Sequence, residues 1–216
     1  NATEIKIAII GEEIHSQRAS SEDLQASISA SIIKRFAPNA SLLSFPRGRT
    51  AGDLAQSIYQ AIDADSKIIL VDLNCGEKCY SNGYPLLKAT LTLASNSGIA
   101  VITPANSLDE IPSDILKLIM PVSPMTQDEI SALSSMTPFL LAIANDASIA
   151  DIILEDDQFA TARLAGLLNL LIIKYPQANF NDLYAKIVAS TNETEQPNLY
   201  RILGVDDVEL QSAQSS

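Results

Sequence analysis

Residues 156–173, DDQFATARLAGLLNLLII, are the stretch around which the rest of the chain is organised. Large apolar residues recur in it at the spacing of a buried helix: Leu164, Leu167, Leu168, Leu171 and Ile172. Asp156 or Asp157 suits the N-cap position, because a carboxylate accepts hydrogen bonds from the free N–H groups of a first helical turn. Tyr175-Pro176 ends the pattern, since a residue before proline avoids helical geometry. The stretch therefore predicts a capped core helix.

Small residues within the same stretch indicate close packing against a neighbour. They are Ala160, Ala162, Ala165 and Gly166, and they leave room for another backbone to approach. The chain around them has 216 residues, of which 47% are apolar and none is Trp, so we expect one domain with an aliphatic core. We predict a single domain over residues 1–210 and a disordered tail over residues 211–216.

Composition also narrows the classes of partner and the compartment. The net charge of −12 disfavours nucleic acid and anionic membranes as partners. No apolar run reaches the ~20 residues that a membrane span needs. Two cysteines are too few for a disulfide framework, and no signal peptide is visible, so the sequence favours the cytoplasm without excluding secretion.

Short apolar runs alternate with segments of helical periodicity along the chain. Predicted strands cover residues 4–10, 40–45, 67–73, 99–103, 116–122 and 139–144, with an edge strand at 200–205. Predicted helices cover residues 21–36, 50–64, 84–96, 157–174 and 179–191. Because parallel strands need crossover helices, this alternation predicts an α/β fold, a doubly wound, mostly parallel sheet with helices on both faces. Ligands of such sheets bind at the C-terminal ends of the strands.

Several segments resemble, in order and spacing, motifs of the subtilisin-like serine peptidases. Residues 163–166, RLAG, take the place of H-V-A-G in the nucleophile helix motif G-T-S-M-A-A-P-H-V-A-G. Residues 7–10, IAII, look like the strand that ends at the catalytic aspartate, and residues 37–42, APNASL, are similar to A-P-x-A-x-L after the histidine helix. Residues 67–76 resemble the strand that pairs with substrate, and residues 98–106 resemble G-V-V-V-V-A-A-A-G-N. The resemblance implies a subtilisin-like fold.

The same resemblance implies that the catalytic triad has been lost. Gly11 stands in place of the aspartate, Gln25 in place of the histidine and Gln158 in place of the serine. Glycine cannot orient a base, and a primary amide is not a usable nucleophile at neutral pH. Asn106 matches the asparagine that stabilises the oxyanion, and it equally suits a turn after a strand. We therefore predict a pseudopeptidase without activity.

Other chemistry remains as an alternative near the first strand. Glu12, Glu13 and His15 follow that strand at the ligand-binding end of the sheet, where they suit an acid/base group or, with Asp157, a cation site. A solvated acidic loop is the simpler explanation of these residues, because no hydrolytic motif links them. The alternative function is a hydrolase with non-standard catalytic residues around these three and Asn106.

The two cysteines do not define a metal site. Cys75 and Cys79 form one C-x-x-x-C pair, which is half of a typical zinc site, and no second pair exists. Two ordinary thiols and one local disulfide both remain compatible with this spacing. The sequence therefore predicts neither a metal nor a cofactor.

A binding function is the main expectation that follows from the resemblance. Subtilisin-like grooves hold peptides as added strands, and backbone pairing does not need the triad. The matching edge here is Asn74, Cys75 and Gly76. The expected partner is a peptide or protein, an active peptidase among the candidates, with the chain as scaffold or regulatory subunit, for example in peptide maturation. The sequence does not fix the oligomeric state.

Overall fold

The computed structural model describes residues 4–11, 21–73, 80–105, 111–123, 141–142 and 156–189. The strands in these ranges are β1 Lys6–Gly11, β2 Ser41–Pro46, β3 Ile68–Val71, β4 Ala100–Pro104, β5 Met120–Ser123 and β6 Leu141–Ala142. The helices are α1 Ser21–Phe36, α2 Ala51–Asp63, α3 Tyr84–Asn96, α4 Ser113–Leu116, α5 Asp156–Lys174 and α6 Phe180–Ala189.

The six strands form one sheet in the order β2-β1-β3-β4-β5-β6, and every neighbouring pair is parallel. Strand β1 pairs with β2 on one side and β3 on the other, and Gly11 lies opposite Pro46 at its end. All four residues of β3 are buried, as expected for a strand covered on both faces. The predicted doubly wound parallel sheet is confirmed.

Alternate residues of the strands face two separate apolar layers. Ile7 and Ile9 of β1 pack with α1, α5 and α6, in a layer that also contains Ile33, Ile68, Leu70, Leu164, Leu168, Leu171 and Ile187. Ala8 and Ile10 pack with α2, α3 and α4, in a layer that also contains Leu54, Ile58, Ile69, Val71, Leu87, Leu91 and Ile115. The period-two alternation of side chains in β1 thus places the sheet between two helical layers.

Helix α5 is the most deeply covered helix, as its apolar residues predict. Leu164, Leu168 and Leu171 are fully buried. An ideal Cβ added to Gly166 would lie 2.6 Å from the Cβ of Phe36, so the small residue admits the end of α1. The helix begins at Asp156, so the prediction of Asp156 or Asp157 as N-cap is wrong. Both residues lie within the first turn of α5.

Most predicted boundaries agree within one or two residues, and the exceptions have local causes. The predicted strand 116–122 is wrong at its start, because Leu116 ends α4 and β5 begins at Met120. The backbone carbonyl of Pro112 accepts the N–H groups of Ile115 and Leu116, which makes this short stretch helical. The predicted edge strand 200–205 and the predicted tail 211–216 lie outside the described residues.

Helices α2 and α3 meet at their N-terminal ends. The N–H of Gly52 donates to the carbonyl of Asn82 at 3.2 Å, and an ideal Cβ on Gly83 would lie 2.4 Å from the Gly52 nitrogen. In chain order α2 comes after β2 and α3 comes after β3, so in a parallel sheet their N-terminal ends lie on the side of the C-terminal ends of these strands. No helix within the described ranges is long and apolar enough to cross a bilayer.

Candidate functional site

The C-terminal end of β1 carries no side chain. An ideal Cβ on Gly11 would lie 3.7 Å from the Cβ of Ala26, so this position faces α1 and has ordinary space around it. Ala26 is the neighbour of Gln25 in α1, and Gln158 lies in the first turn of α5, which packs against α1. The position that the resemblance assigns to an acid is therefore an open glycine that faces the helix carrying Gln25.

The remaining predicted site residues fall outside the described part of the chain. They are Glu12, Glu13, His15, Asn74, Cys75, Gly76, Cys79 and Asn106. The binding edge, the oxyanion asparagine and the alternative acid/base group therefore stay predictions. The described residues next to these segments show how the C-terminal edge of the sheet is built.

The chain that follows β3, residues 72 and 73, is named here the β3 segment. The N–H of Leu73 donates to the hydroxyl of Thr103 at 3.2 Å, and its carbonyl accepts the hydroxyl of Tyr80 at 2.7 Å. All three residues are buried. At Leu73, hydrogen bonds to side chains therefore replace the backbone hydrogen bonds between strands. This explains why β3 stops at Val71 although the predicted strand continues to residue 73.

Arg47 connects the ends of three strands, and the sequence analysis missed it. Its backbone N–H donates to the carbonyl of Gly11 at 2.9 Å. Its Nε donates to the carbonyl of Asp72 at 3.0 Å, and its Nη2 lies 3.8 Å from the Asp72 carboxylate. The side chain thus reaches from the end of β2 past β1 to the β3 segment. The signal available in the sequence was a basic residue two positions after a predicted strand, and it did not indicate the contact partner.

The chain between β2 and α2, residues 46–50, is named here the β2 loop. A capping box closes it: the Asp53 carboxylate accepts the backbone N–H groups of Arg49 and Thr50, each at 3.0 Å, and the Asp53 N–H donates to the Thr50 hydroxyl at 3.1 Å. The bond from the Arg49 N–H, with those from Thr50, holds the pKa of Asp53 below its usual value. The carbonyl of Pro46 accepts the hydroxyl of Ser57.

A polar cluster ties α3 to α4 at the same edge of the sheet. The Tyr84 hydroxyl donates to the Asp114 carboxylate, and the Lys88 ammonium lies 2.6 Å from its other oxygen. The hydrogen bond from Lys88, followed by that from Tyr84, lowers the pKa of Asp114 to about 2. Burial, followed by the bond to Asp114, raises the pKa of Tyr84 to about 12. The cluster fixes the start of α4 against α3.

Comparison with known proteins gives the fold. No family model matches the sequence, and no curated protein matches it. Solved structures do match: MycP1 from Mycobacterium smegmatis superposes with a TM-score of 0.60 at 13% identity, covering 92% of this chain and 79% of that one. The PatG macrocyclase domain superposes with a TM-score of 0.60 at 12% identity, covering 93% of this chain and 90% of that one.

The nisin leader peptidase NisP from Lactococcus lactis is a third match. It superposes with a TM-score of 0.59 at 12% identity, covering 94% of this chain and 87% of that one. These structures are subtilisin-like, and the matches span most of each chain. The predicted subtilisin-like fold is confirmed, while identities this low show the fold alone.

Proposed function

We propose that this chain is a catalytically inactive subtilisin-like domain that acts by binding a peptide or a protein segment. The observation that carries the proposal is Gly11, the last residue of β1, whose missing side chain would face α1. In a triad an acid orients the histidine, the histidine takes the serine proton, and the serine attacks. A glycine at the position of the acid can hold no base in place.

The sequences of α1 and α5 support the same conclusion, since α1 faces Gly11 and α5 packs against α1. Helix α1 contains no histidine, and α5 begins Asp-Asp-Gln with no serine in that turn. Loss of triad members removes most of the rate enhancement. The residual rate enhancement then depends on substrate binding and on oxyanion stabilisation. A domain that lacks these catalytic residues can still act by binding a peptide.

The binding mode that fits this edge of the sheet is strand addition. An extended peptide laid beside Asn74, Cys75 and Gly76 gains affinity from main-chain hydrogen bonds and selectivity from side-chain pockets. The β3 segment just before this edge is held by buried partners, Thr103 and Tyr80. A fixed edge binds a strand with a smaller entropic cost than a mobile one.

A role in peptide processing is the setting that the structural neighbours favour. Two of them are named as the nisin leader peptidase and the PatG macrocyclase domain. An inactive domain of the same fold suits the role of scaffold or regulatory subunit, which presents a peptide to an active peptidase or binds that peptidase itself.

Two measurements test this function. A fluorophosphonate probe should label no serine of the chain, and a broad peptide screen should show no cleavage. Labelling of a serine that disappears on its mutation to Ala, or cleavage that depends on His15, would overturn the inactive assignment. Peptides selected on the parent from a random phage-displayed library should lose binding to Gly76→Val, because a Cβ there obstructs the partner backbone. The exposed substitution Ala89→Val in α3 is the matched control and should retain binding.

A further inference from the structure

The dipeptide Asn82-Gly83, directly before α3, combines features that favour a chemical modification of the chain itself. It is the single asparagine–glycine pair of the sequence. Asn82 is exposed, and Gly83 is half-buried. An asparagine side chain cyclises when the backbone nitrogen of the next residue attacks its amide carbon, Cγ. Whether this reaction occurs in a folded protein depends on how available that nitrogen is.

The backbone nitrogen of Gly83 is available for such an attack. Gly83 is the N-cap residue of α3, so its N–H lies ahead of the hydrogen bonds of the helix. Among the described residues, no backbone carbonyl accepts a hydrogen bond from it. Glycine also has no Cβ that would obstruct the approach of the asparagine side chain. The attack therefore does not require a backbone hydrogen bond between described residues to break at this nitrogen.

The contact between α2 and α3 makes the N–H of Gly83 more acidic. The N–H of Gly52 donates to the carbonyl of Asn82 at 3.2 Å, and this carbonyl belongs to the same peptide group as the Gly83 nitrogen. A hydrogen bond to the oxygen of a peptide group polarises its N–H. The N-terminal ends of two helices also meet here, since an ideal Cβ on Gly83 would lie 2.4 Å from the Gly52 nitrogen. Their dipoles favour the negative charge that develops during the attack.

We propose that Asn82 is a site of spontaneous deamidation in the folded protein. The Gly83 nitrogen gives its proton to hydroxide and forms a bond with Cγ of Asn82. The bond between Cγ and Nδ2 then breaks, Nδ2 takes up a proton, and ammonia leaves behind a cyclic imide. Water opens the imide at either of its two carbonyl carbons. Attack of water at Cγ gives aspartate, and attack at the former main-chain carbonyl gives isoaspartate.

The two products have different effects on the contact between α2 and α3. Aspartate leaves the course of the backbone unchanged and adds a negative charge beside two helix N-termini, where that charge is favourable. Isoaspartate adds the Cβ methylene of residue 82 to the backbone and turns its main-chain carbonyl into a carboxylate. The peptide group that accepts the N–H of Gly52 no longer exists in this product, so we expect the contact between Gly52 and Gly83 to loosen.

Peptide mapping of protein aged in mildly alkaline buffer tests the site. Trypsin releases residues 79–88, with Asn82 as their only asparagine, and residues 36–47, with Asn39 as theirs. Asn39 is a matched control because it is also exposed, whereas the next residue, Ala40, carries a Cβ and has its N–H in a hydrogen bond of 3.0 Å. Aspartate and isoaspartate should form at Asn82 at least about tenfold faster than at Asn39, the factor that corresponds to one hydrogen bond.

Two controls show whether the fold permits the reaction. The synthetic peptide of residues 79–88 gives the rate without the fold, and the folded protein should react at a similar rate. A rate in the protein more than about tenfold below that of the peptide would show that the fold protects Asn82, and would overturn the proposal. Equal rates at Asn82 and Asn39 would overturn it as well. Asn82→Gln, which would have to form a larger ring, should yield far less product in residues 79–88.

Amide hydrogen exchange by NMR tests the effect on the contact. The aged protein is separated by ion exchange, and the isoaspartate fraction is identified by labelling with an isoaspartyl methyltransferase. The N–H of Gly52 should exchange faster in this fraction than in the parent. Asn82→Asp, which reproduces the other product, should keep the parent's protection at Gly52. Equal protection of Gly52 in all three proteins would overturn the expected loosening.

Discussion

At the scale of single residues, Arg47 shows how one side chain organises the edge of the sheet. Its main chain binds the end of β1 and its guanidinium binds the β3 segment, 25 positions later in the chain. Nothing local in the sequence predicts that contact, because the loop around Arg47 reads only as polar and glycine-containing. Gly11 differs, since its position at the end of an apolar strand could be assigned from local pattern alone.

Arg47→Met should destabilise the protein by about 1–3 kcal/mol, since it removes a charge-assisted hydrogen bond and leaves the Asp72 carbonyl without that donor. The matched control is Lys67→Met at the opposite end of β3, where the ion pair with Asp65 is exposed. Exposed pairs contribute about 0–1 kcal/mol, so the control should change little. Urea unfolding of both variants measures the difference in the free energy of unfolding. Equal losses would show that the contacts of Arg47 stabilise the protein no more than an exposed ion pair does.

Asp114 should make stability depend on acid pH. Lys88 and Tyr84 hold its folded-state pKa at about 2, below the ~3.9 of an unfolded aspartate. The stabilisation is therefore present above about pH 4 and is lost as the pH falls through about 2. We expect the difference in urea midpoint between the parent and Asp114→Asn to shrink over this range. A difference that stays constant as the pH falls would contradict this assignment.

At the scale of elements, the ends of helices and strands were predicted accurately where the signals that set them are local in the sequence. Helices α1 and α3 were predicted to the residue, because stop signals such as Ala37-Pro38 and the left-handed Gly98 are local. The start of β5 was missed, since an apolar run after Pro112 suits a strand and a helical turn equally. The end of β3 was missed because distant side chains, those of Thr103 and Tyr80, terminate the ladder.

The contact between α1 and α5 predicts the effect of one methyl group. Gly166→Ala should cost about 1–2 kcal/mol, because overpacking against Phe36 outweighs the gain in helix propensity of about 1 kcal/mol. Gly52→Ala in α2 is the control, since its added Cβ would meet nothing closer than 3.5 Å. That variant should be neutral or stabilised in urea unfolding. If Gly166→Ala is as stable as the parent, α1 must be able to move away from α5 at little cost in free energy.

At the scale of the whole molecule, the fold was predictable and the site only in part. Alternating strands and helices, together with the order of the motifs, indicated a subtilisin-like sheet, and the structural matches confirm it. The sequence predicts Gly11, Gln25 and Gln158 as the triad positions from local motifs, and these three assignments stay predictions. The contacts of Arg47 with Gly11 and Asp72 could not be predicted, since they join segments that are far apart in the sequence.

Gln158→Ser should not create a peptidase. The substitution supplies a hydroxyl in the first turn of α5, and Gly11 still provides no carboxylate to orient a base. The variant should therefore remain unlabelled by a fluorophosphonate and should cleave no peptide in a broad screen. The parent and a commercial subtilisin serve as negative and positive controls. Measurable turnover by Gln158→Ser would reveal a base elsewhere in the chain.

The position of α5 in the chain has a consequence for biosynthesis. Strands β2, β1 and β3 are complete once residue 71 has left the ribosome, and α2 and α3 follow soon afterwards to cover one face. The other face, with Ile7, Ile9 and Ile68, has only α1 to cover it until synthesis has passed residue 174 and α5 can pack there. Nascent chains will therefore expose an aliphatic surface for much of translation. A chain that is truncated before α5 should therefore aggregate more readily than the full chain.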